Sequence, residues 1–243
     1  MGTAIGLDLR EPWIGHEAVD GFFDWLRSVD ERFSTYRDDS LVSQLRRGEI
    51  ASLIADPDLT DVLELCEEVR LASDGIFDVW AHQPDAFDPS GLVKGWSIDR
   101  GADILRTAGA RNFCVNAGGD VLAIGQAQPG VAWRVGIRHP VEADKLAAVV
   151  AASDLAVATS GAYERGRHIV NSLDEAAPQQ LLSATVAGPS LTFADAYATA
   201  VFAMGERGVD WLRRLDRYSG YVVTAQRRAI WTDPFDVILQ GLS

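Results

Sequence analysis

The sequence predicts an α+β fold, with mixed or antiparallel sheets packed against helices, in one domain spanning residues 1–243. Three observations lead there. Helical periods fill most of residues 16–108, strand-like runs cluster in the middle, and helical periods return near the end. That order differs from regular βαβα alternation. No Pro/Gly/Ser-rich linker interrupts the chain. Its length of 243 residues, with 47% hydrophobic and 23% charged residues, suits one sizeable globular core.

The elements follow in order. "TAIGLDL" at 3–9 alternates loosely and reads as a first strand. "HEAVDGFFDWLRSVDERF" places apolar residues at Ala18, Val19, Phe22, Phe23, Leu26 and Val29, a helical period. "DDSLVSQLRRGE" reads as a shorter helix ended by Gly48. "DPDLTDVLELCEEVRLASDG" opens on Asp and Pro and stops at Gly75, so both end signals of a helix are present. "IFDVWAHQPDAFDPSG" is irregular, and residues 91–108 resume a helical period. "RNFCVNA" and "DVLAIG" then flank a glycine turn. "AWRVGIRHP", "LAAVVAA", "LAVATSG", "RHIVN" and "LLSATVAG" continue as strands. "LTFADAYATAVFAMG" and "ERGVDWLRRLDRYSG" read as helices, and "YVVTAQRRAIWT" as a hairpin.

Composition excludes several classes of function. A net charge of −13 opposes a nucleic-acid partner, which needs Lys and Arg to displace counterions, and an anionic membrane surface. It leaves room for an anionic small molecule, because one bound metal ion reverses the local field. No run of 18 apolar residues suggests a membrane span. No basic start with an apolar core marks a signal peptide, and no lipobox is present, so the chain is expected in the cytoplasm. Cys66 and Cys114 form no CxxC pair and read as small buried residues in a reducing compartment.

The helix over 191–204 raises the sharpest question. It is apolar nearly all round, as a buried helix is, yet it carries Thr192, Asp195 and Thr199 at steps of three and four. A buried carboxylate must be paired, hydrogen-bonded or metal-bound, and no Lys or Arg lies nearby in sequence. Asp195 and Thr199 share a helix face and would suit a hard cation such as Mg²⁺. The plainer alternative is a capping box from Thr192 to Asp195, with Thr199 bonded back to the carbonyl four residues earlier. Spacing alone leaves both open.

Other candidates are weaker singly. In "VNAGGDVLAIG" the paired Gly118 and Gly119 permit positive φ and close ligand approach, but the pattern is neither GxGxxG nor a P-loop and suits a hairpin turn. Lys94 falls just inside a helix start, where phosphate is attracted, yet a lone lysine is ordinarily a surface residue. Ser160 is in no GxSxG elbow. His168 is the type of base used near neutral pH, although such a strand histidine is commonly structural. His16, His82 and His139 have no metal-ligand spacing.

Together these stretches resemble one family, the FAD:protein FMN transferases, often called ApbE-like. The resemblance rests on "MGT" at 1–3, "FSTYRDDSLVSQL" at 33–45, "SDGIFDV" at 73–79 and "DPSGLVKGWSIDR" at 88–100. It continues through "NFCVNAGGDVLAIG" at 112–125, "WRVGIRHP" at 133–140, "ATSGAYER" at 158–165, "HIVN" at 168–171 and "ADAYATAVFAMG" at 194–205. Their joint order and spacing are specific and reach from about residue 1 to 232.

The resemblance implies an ApbE-like fold and a Mg²⁺-dependent activity. FMN would pass from FAD to a Thr or Ser hydroxyl of an acceptor flavoprotein, and AMP would leave. It implies metal ligation by Asp195 and Thr199, with Ala198 beside them and Gly91 offering a backbone oxygen. Met1, Tyr36, Ile76, Phe77, Asp78, Asp88 and Lys94 match positions lining FAD. Asn116, Gly118, Gly119 and Asp120 match the glycine-rich turn. Ser160, Gly161, His168 and Ile169 match the segment beside the flavin nucleotide, with His168 as the catalytic base. After its histidine the family usually reads Asp-Pro and then Thr-Gly, whereas this chain reads "HIVNSLDEAAPQQ", with Asn171 in place of the acid. That departure keeps two alternatives open: an FAD pyrophosphatase giving FMN and AMP, or a non-catalytic FAD-binding member.

Overall fold

The sheets account for the order of the strands. The computed structural model describes residues 3–50, 56–80, 87–161 and 180–240. Among these residues a seven-stranded antiparallel sheet runs β1-β2-β3-β6-β7-β8-β9. Its strands are β1 (Ile5–Leu9), β2 (Phe113–Ala117), β3 (Asp120–Ile124), β6 (Leu155–Gly161), β7 (Leu181–Gly188), β8 (Ser219–Thr224) and β9 (Ala229–Trp231). The hairpin of β4 (Trp133–Arg138) and β5 (Leu146–Ala152) leaves it to form a second sheet with β10 (Leu239–Gln240). The fold is α+β.

Strand alternation separates two apolar layers, because successive side chains point to opposite faces. Val121, Ala123, Val157, Ala187, Tyr221 and Val223 face the three-stranded sheet and pack with Trp133, Val135, Ile137, Val150 and Phe235. Their neighbours Leu122, Ala156, Ala158, Val186 and Val222 face the helices. Every residue of β3 and β8 is therefore buried.

The helices covering that second face begin and end where their residues dictate. The apolar stripe of α1 (His16–Phe33) buries Phe22, Leu26, Val29 and Phe33. In α2 (Leu41–Arg46), the Ser40 hydroxyl accepts from the Ser43 N–H. In α3 (Pro57–Ala72), the Asp56 carboxylate accepts from the N–H groups of Asp58 and Leu59, and Pro57 opens the first turn where no N–H is needed. The helix α4 (Ser90–Thr107) packs against α5 (Leu191–Met204), and α5 lies on β6 and β7. Short helices α6 (Arg207–Leu212) and α7 (Asp233–Asp236) follow. Gly118 and Gly119, with φ of +64° and +105°, form the two-residue turn between Ala117 and Asp120, as the glycine pair predicts.

The run "RHIVN" lies outside the described residues. Neither α7 nor β10 was anticipated from the sequence; at four and two residues they are too short to show a period. Among the described residues no helix is long and apolar enough to cross a membrane.

Candidate functional site

The α4–α5 crossing is close because of one glycine. A Cβ on Gly95 would stand 2.3 Å from the Leu191 carbonyl oxygen, far inside contact distance. With no side chain there, the two backbones approach, and the Gly95 N–H donates to Asp195 Oδ2 at 3.2 Å. The opposite carboxylate oxygen, Oδ1, lies 3.6 Å from Lys94 Nζ. The same ammonium sits 2.5 Å from Asp120 Oδ2. Asp120 Oδ1 accepts from the Thr159 N–H at 2.9 Å. All three charged side chains are shielded from water, at 12% exposure for Lys94, 6% for Asp195 and 1% for Asp120.

Such burial is tolerable only because the charges face one another and the remaining lone pairs find donors. Lys94 is thus not the solvated surface lysine that its isolation in the sequence suggests. It joins α4, α5 and the start of β3. The Gly118–Gly119 turn delivers Asp120: the Gly119 N–H donates to Asn116 Oδ1 at 3.0 Å, and β3 begins at the next residue. A Cβ on Gly118 would lie 2.2 Å from Thr3 Oγ1, so the turn also abuts the N-terminal segment.

Thr199 stands one helical turn beyond Asp195. Its hydroxyl is 3.2 Å from the Ser160 hydroxyl, near the end of β6. Gly91, on the first turn of α4, closes the group: a Cβ there would come within 3.6 Å of Thr199 Oγ1 and 3.2 Å of the Phe77 ring. The capping-box alternative fails. The helix starts at Leu191, with Ser190 extended (φ −128°, ψ 132°) and its hydroxyl accepting from the Phe193 N–H. Thr192 is already inside the first turn and donates its hydroxyl to Asp99 Oδ2 at 2.7 Å. Asp195 lies too deep in the helix to cap it.

The oxygens gathered here fit a hard cation. A carboxylate and two hydroxyls meet here, and such oxygens are the donor types Mg²⁺ prefers. Among the described residues no cluster of three or more His, Cys, Asp or Glu side chains could hold a metal, so any ion here must use such mixed oxygens. Ala198 adds a fully buried methyl and no side-chain donor.

The remaining candidates spread outward from this centre. Phe77 is buried against Gly91, and its N–H donates to Ser73 Oγ at 3.0 Å. Ile76 is half-buried beside it. Asp78 accepts from the Trp80 N–H at 2.9 Å, and Trp80 packs on Phe87. Asp88 accepts from the Ser90 N–H at 3.0 Å and lies 3.6 Å from Arg46, so a carboxylate already occupies the start of α4. Tyr36 is 83% exposed, with no burial to explain an aromatic residue there. Gly161 is buried at the end of β6. Met1, His168 and Ile169 lie outside the described residues.

Two side chains at the site escaped the sequence reading. Arg46 contacts Asp88 and donates through Nε to the Phe87 carbonyl at 2.8 Å. Asp99 binds the start of α5. Nothing local in the sequence marks either, because both act on residues brought close only by the fold.

This arrangement sets a buried ion cluster beside an oxygen-lined position on a helix that crosses an antiparallel sheet, in an α+β protein. The ApbE family model matches residues 1–86 and 80–222, and the chain belongs to that family. It is 33% identical to the FAD:protein FMN transferase of Vibrio cholerae over 129 residues, 49% of this chain and 39% of that protein. It is 29% identical to that of Rhodobacter capsulatus over 221 residues, 86% of this chain and 38% of that protein. The chain thus spans about two fifths of the length of these curated relatives. The solved flavin transferase ApbE from Vibrio cholerae superposes with a TM-score of 0.85 at 22% identity, covering 98% of this chain and 96% of that one. The ApbE protein from Thermotoga maritima gives 0.86 at 20% identity, covering 99% and 97%.

Proposed function

We propose that residues 1–243 form one flavin transferase domain that moves FMN from FAD to a Thr or Ser hydroxyl of an acceptor protein and releases AMP. The observation that carries this reading is the Lys94–Asp120–Asp195 ion cluster beside Thr199, Ser160 and Gly91. Family membership adds the substrate class, since the curated relatives are FAD:protein FMN transferases.

Phosphoryl transfer asks mainly for alignment and charge neutralisation. The acceptor oxygen would attack the phosphorus of the FMN half, and the P–O bond to the AMP half would break. AMP leaves with the bridging oxygen and its electron pair, while the hydroxyl proton passes to a base. His168 is our choice for that base, a role that typically contributes about 10²–10⁴-fold. Asp195, Thr199 and the main chain at Gly91 would hold Mg²⁺. When bound, this ion would supply Lewis-acid neutralisation of the pyrophosphate. Lys94 balances the buried carboxylates and fixes Asp195 from one side while the Gly95 N–H fixes it from the other. Phe77, packed on Gly91, walls the position.

The test is incubation with FAD, Mg²⁺ and a Thr-containing acceptor from the same genome, followed by mass measurement. FMN on the acceptor supports transfer. Free FMN and AMP would replace it with the pyrophosphatase reading, and unchanged FAD with the binding-only one. His168→Ala is expected to cut transfer while FAD still binds; an unaltered rate would remove His168 as the base.

A further inference from the structure

The two helices that supply the cluster are joined by a carboxylate that lies outside it. Asp99 is on α4, four residues beyond Gly95. Its carboxylate collects four hydrogen bonds from the start of α5. The Ser190 hydroxyl donates to Oδ2 at 2.8 Å, the Thr192 N–H at 2.9 Å and the Thr192 hydroxyl at 2.7 Å. The Leu191 N–H donates to Oδ1 at 3.2 Å. Helix starts leave N–H groups without partners inside the helix, and a capping side chain from the same segment normally meets them. Here Ser190 performs only part of that task, and another helix supplies the remaining acceptor.

These contacts align along α4. Gly95 admits the Leu191 carbonyl and donates to Asp195; Asp99, one turn on, grips Ser190, Leu191 and Thr192. A close crossing at Gly95 fixes how near the helices come. It does not fix how far α5 slides or rolls about that point; a second anchor along the axis is needed for that. We propose that Asp99 is that anchor: a positioning residue that sets α5 on α4 so that Asp195 and Thr199 come opposite Lys94 and Gly91. This rests on reading the cluster as a cation site. Its four bonds go to the α5 start, so its influence on the cluster passes through the helix.

The chemistry requires a carboxylate at this position. Four donors converge on its two oxygens, and both oxygens are used. An amide has one acceptor oxygen, so Asp99→Asn would turn an NH₂ group against at least one donor whichever way it is placed. Outer partners of metal sites typically change affinity by about 10–100-fold.

The experiment titrates Mn²⁺ alone into the full chain and follows free Mn²⁺ by electron paramagnetic resonance. It is done at a temperature where circular dichroism shows each variant folded. Asp99→Asn is expected to raise the Mn²⁺ Kd by roughly 10-fold. Thr192→Val, which keeps three of the four bonds, is expected to raise it less. Val150→Ala, on the far side of the large sheet, is expected to lower Tm and leave the Kd unchanged. A wild-type Kd in Asp99→Asn overturns the proposal, as does an equal loss of affinity in Val150→Ala. If Asp99→Asn does not fold, a wild-type Kd in Thr192→Val overturns it. A different failure marks the underlying reading: Asp195→Ala binding Mn²⁺ as tightly as wild type would discard the cation site, and Asp99's role with it.

Discussion

The two faces of the large sheet use the same strands for opposite purposes. On β3, Val121 and Ala123 fill the apolar layer under the three-stranded sheet, while Asp120 and Leu122 face the helices. On β6, Val157 belongs to the first layer and Ser160 to the second, where it meets Thr199. The face toward the small sheet carries the Thr159–Thr185 hydroxyl pair at 2.9 Å, and its Asp8–Arg10 ion pair stays exposed to water. The helical face takes in two carboxylates and an ammonium. Period-2 alternation thus lets one strand carry packing on one side and chemistry on the other. The charged side is also where a second layer is made of helices, which can offer main-chain N–H groups and long side chains at a crossing. A substitution on one face should therefore damage function, and one on the other only stability.

The strongest way to break that contrast is Asp195→Ala. It removes the one carboxylate on the oxygen-lined position and leaves Lys94 with Asp120. Metal-dependent turnover of FAD should fall by at least about 10³-fold, the upper range for loss of one preorganised electrostatic group. Normal turnover would exclude Asp195 from the site. Lys94→Met tests the cluster as a stability element. Two buried carboxylates would then face each other without the ammonium, and breaking a buried ion pair costs about 3–5 kcal/mol. Urea unfolding measures this, and a loss below about 1 kcal/mol, the worth of an exposed pair, would show the cluster to be far better solvated than its burial states.

Gly95→Ala comes next. The added methyl meets the Leu191 carbonyl at 2.3 Å, and backbone cannot swing aside as a side chain can. Overpacking of this kind costs about 1–3 kcal/mol. It should also weaken Mn²⁺ binding, because the Gly95 N–H to Asp195 contact is part of the same crossing. On the opposite face, Ile137→Val should cost about 0.5–1.5 kcal/mol and leave both Mn²⁺ affinity and turnover unchanged. A change in turnover there would show that the sheet transmits strain between its faces.

Much of this division was written locally. The greasy stretch over 191–204 announces a buried helix, and the step from Asp195 to Thr199 places two oxygens on one side of it. The glycine pair at 118 and 119 announces its turn. What could not be read is whatever joins distant segments. Asp99 meets residues 91 to 93 positions away, and the Gly95 N–H meets Asp195 at a separation of 100. Neither has a sequence period. Ser190 rather than Thr192 caps α5 because a backbone angle decides where the helix starts, and both residue types make good caps. Nor does alternation in β4 and β5 reveal that they leave for another sheet, since a half-buried strand looks alike in either.

The two thiols offer the gentlest probe of the contrast, one on each side. Cys66 is buried among the helices, and Cys114 packs half-buried on the side of the small sheet. Burial pushes the Cys66 thiol from 9.0 up to about 12. Burial, helped by the nearby Asp8 charge, pushes Cys114 up to about 11. At pH 8 either thiolate is then about 10⁻³ of the total or less, and only the thiolate reacts. Iodoacetamide should leave both unmodified at that pH and label Cys114 first as the pH rises. Both folded-state values lie above the unfolded one, so the stability gained by keeping the thiols neutral is fully present below about pH 9. It drains away as pH climbs through about 11 for Cys114 and about 12 for Cys66, because the unfolded chain loses its protons first. If Cys66 were labelled as fast as Cys114 as the pH rises, the helical layer would have to open as readily as the sheet edge. A crossing that loose could not hold Asp195 and Lys94 in register.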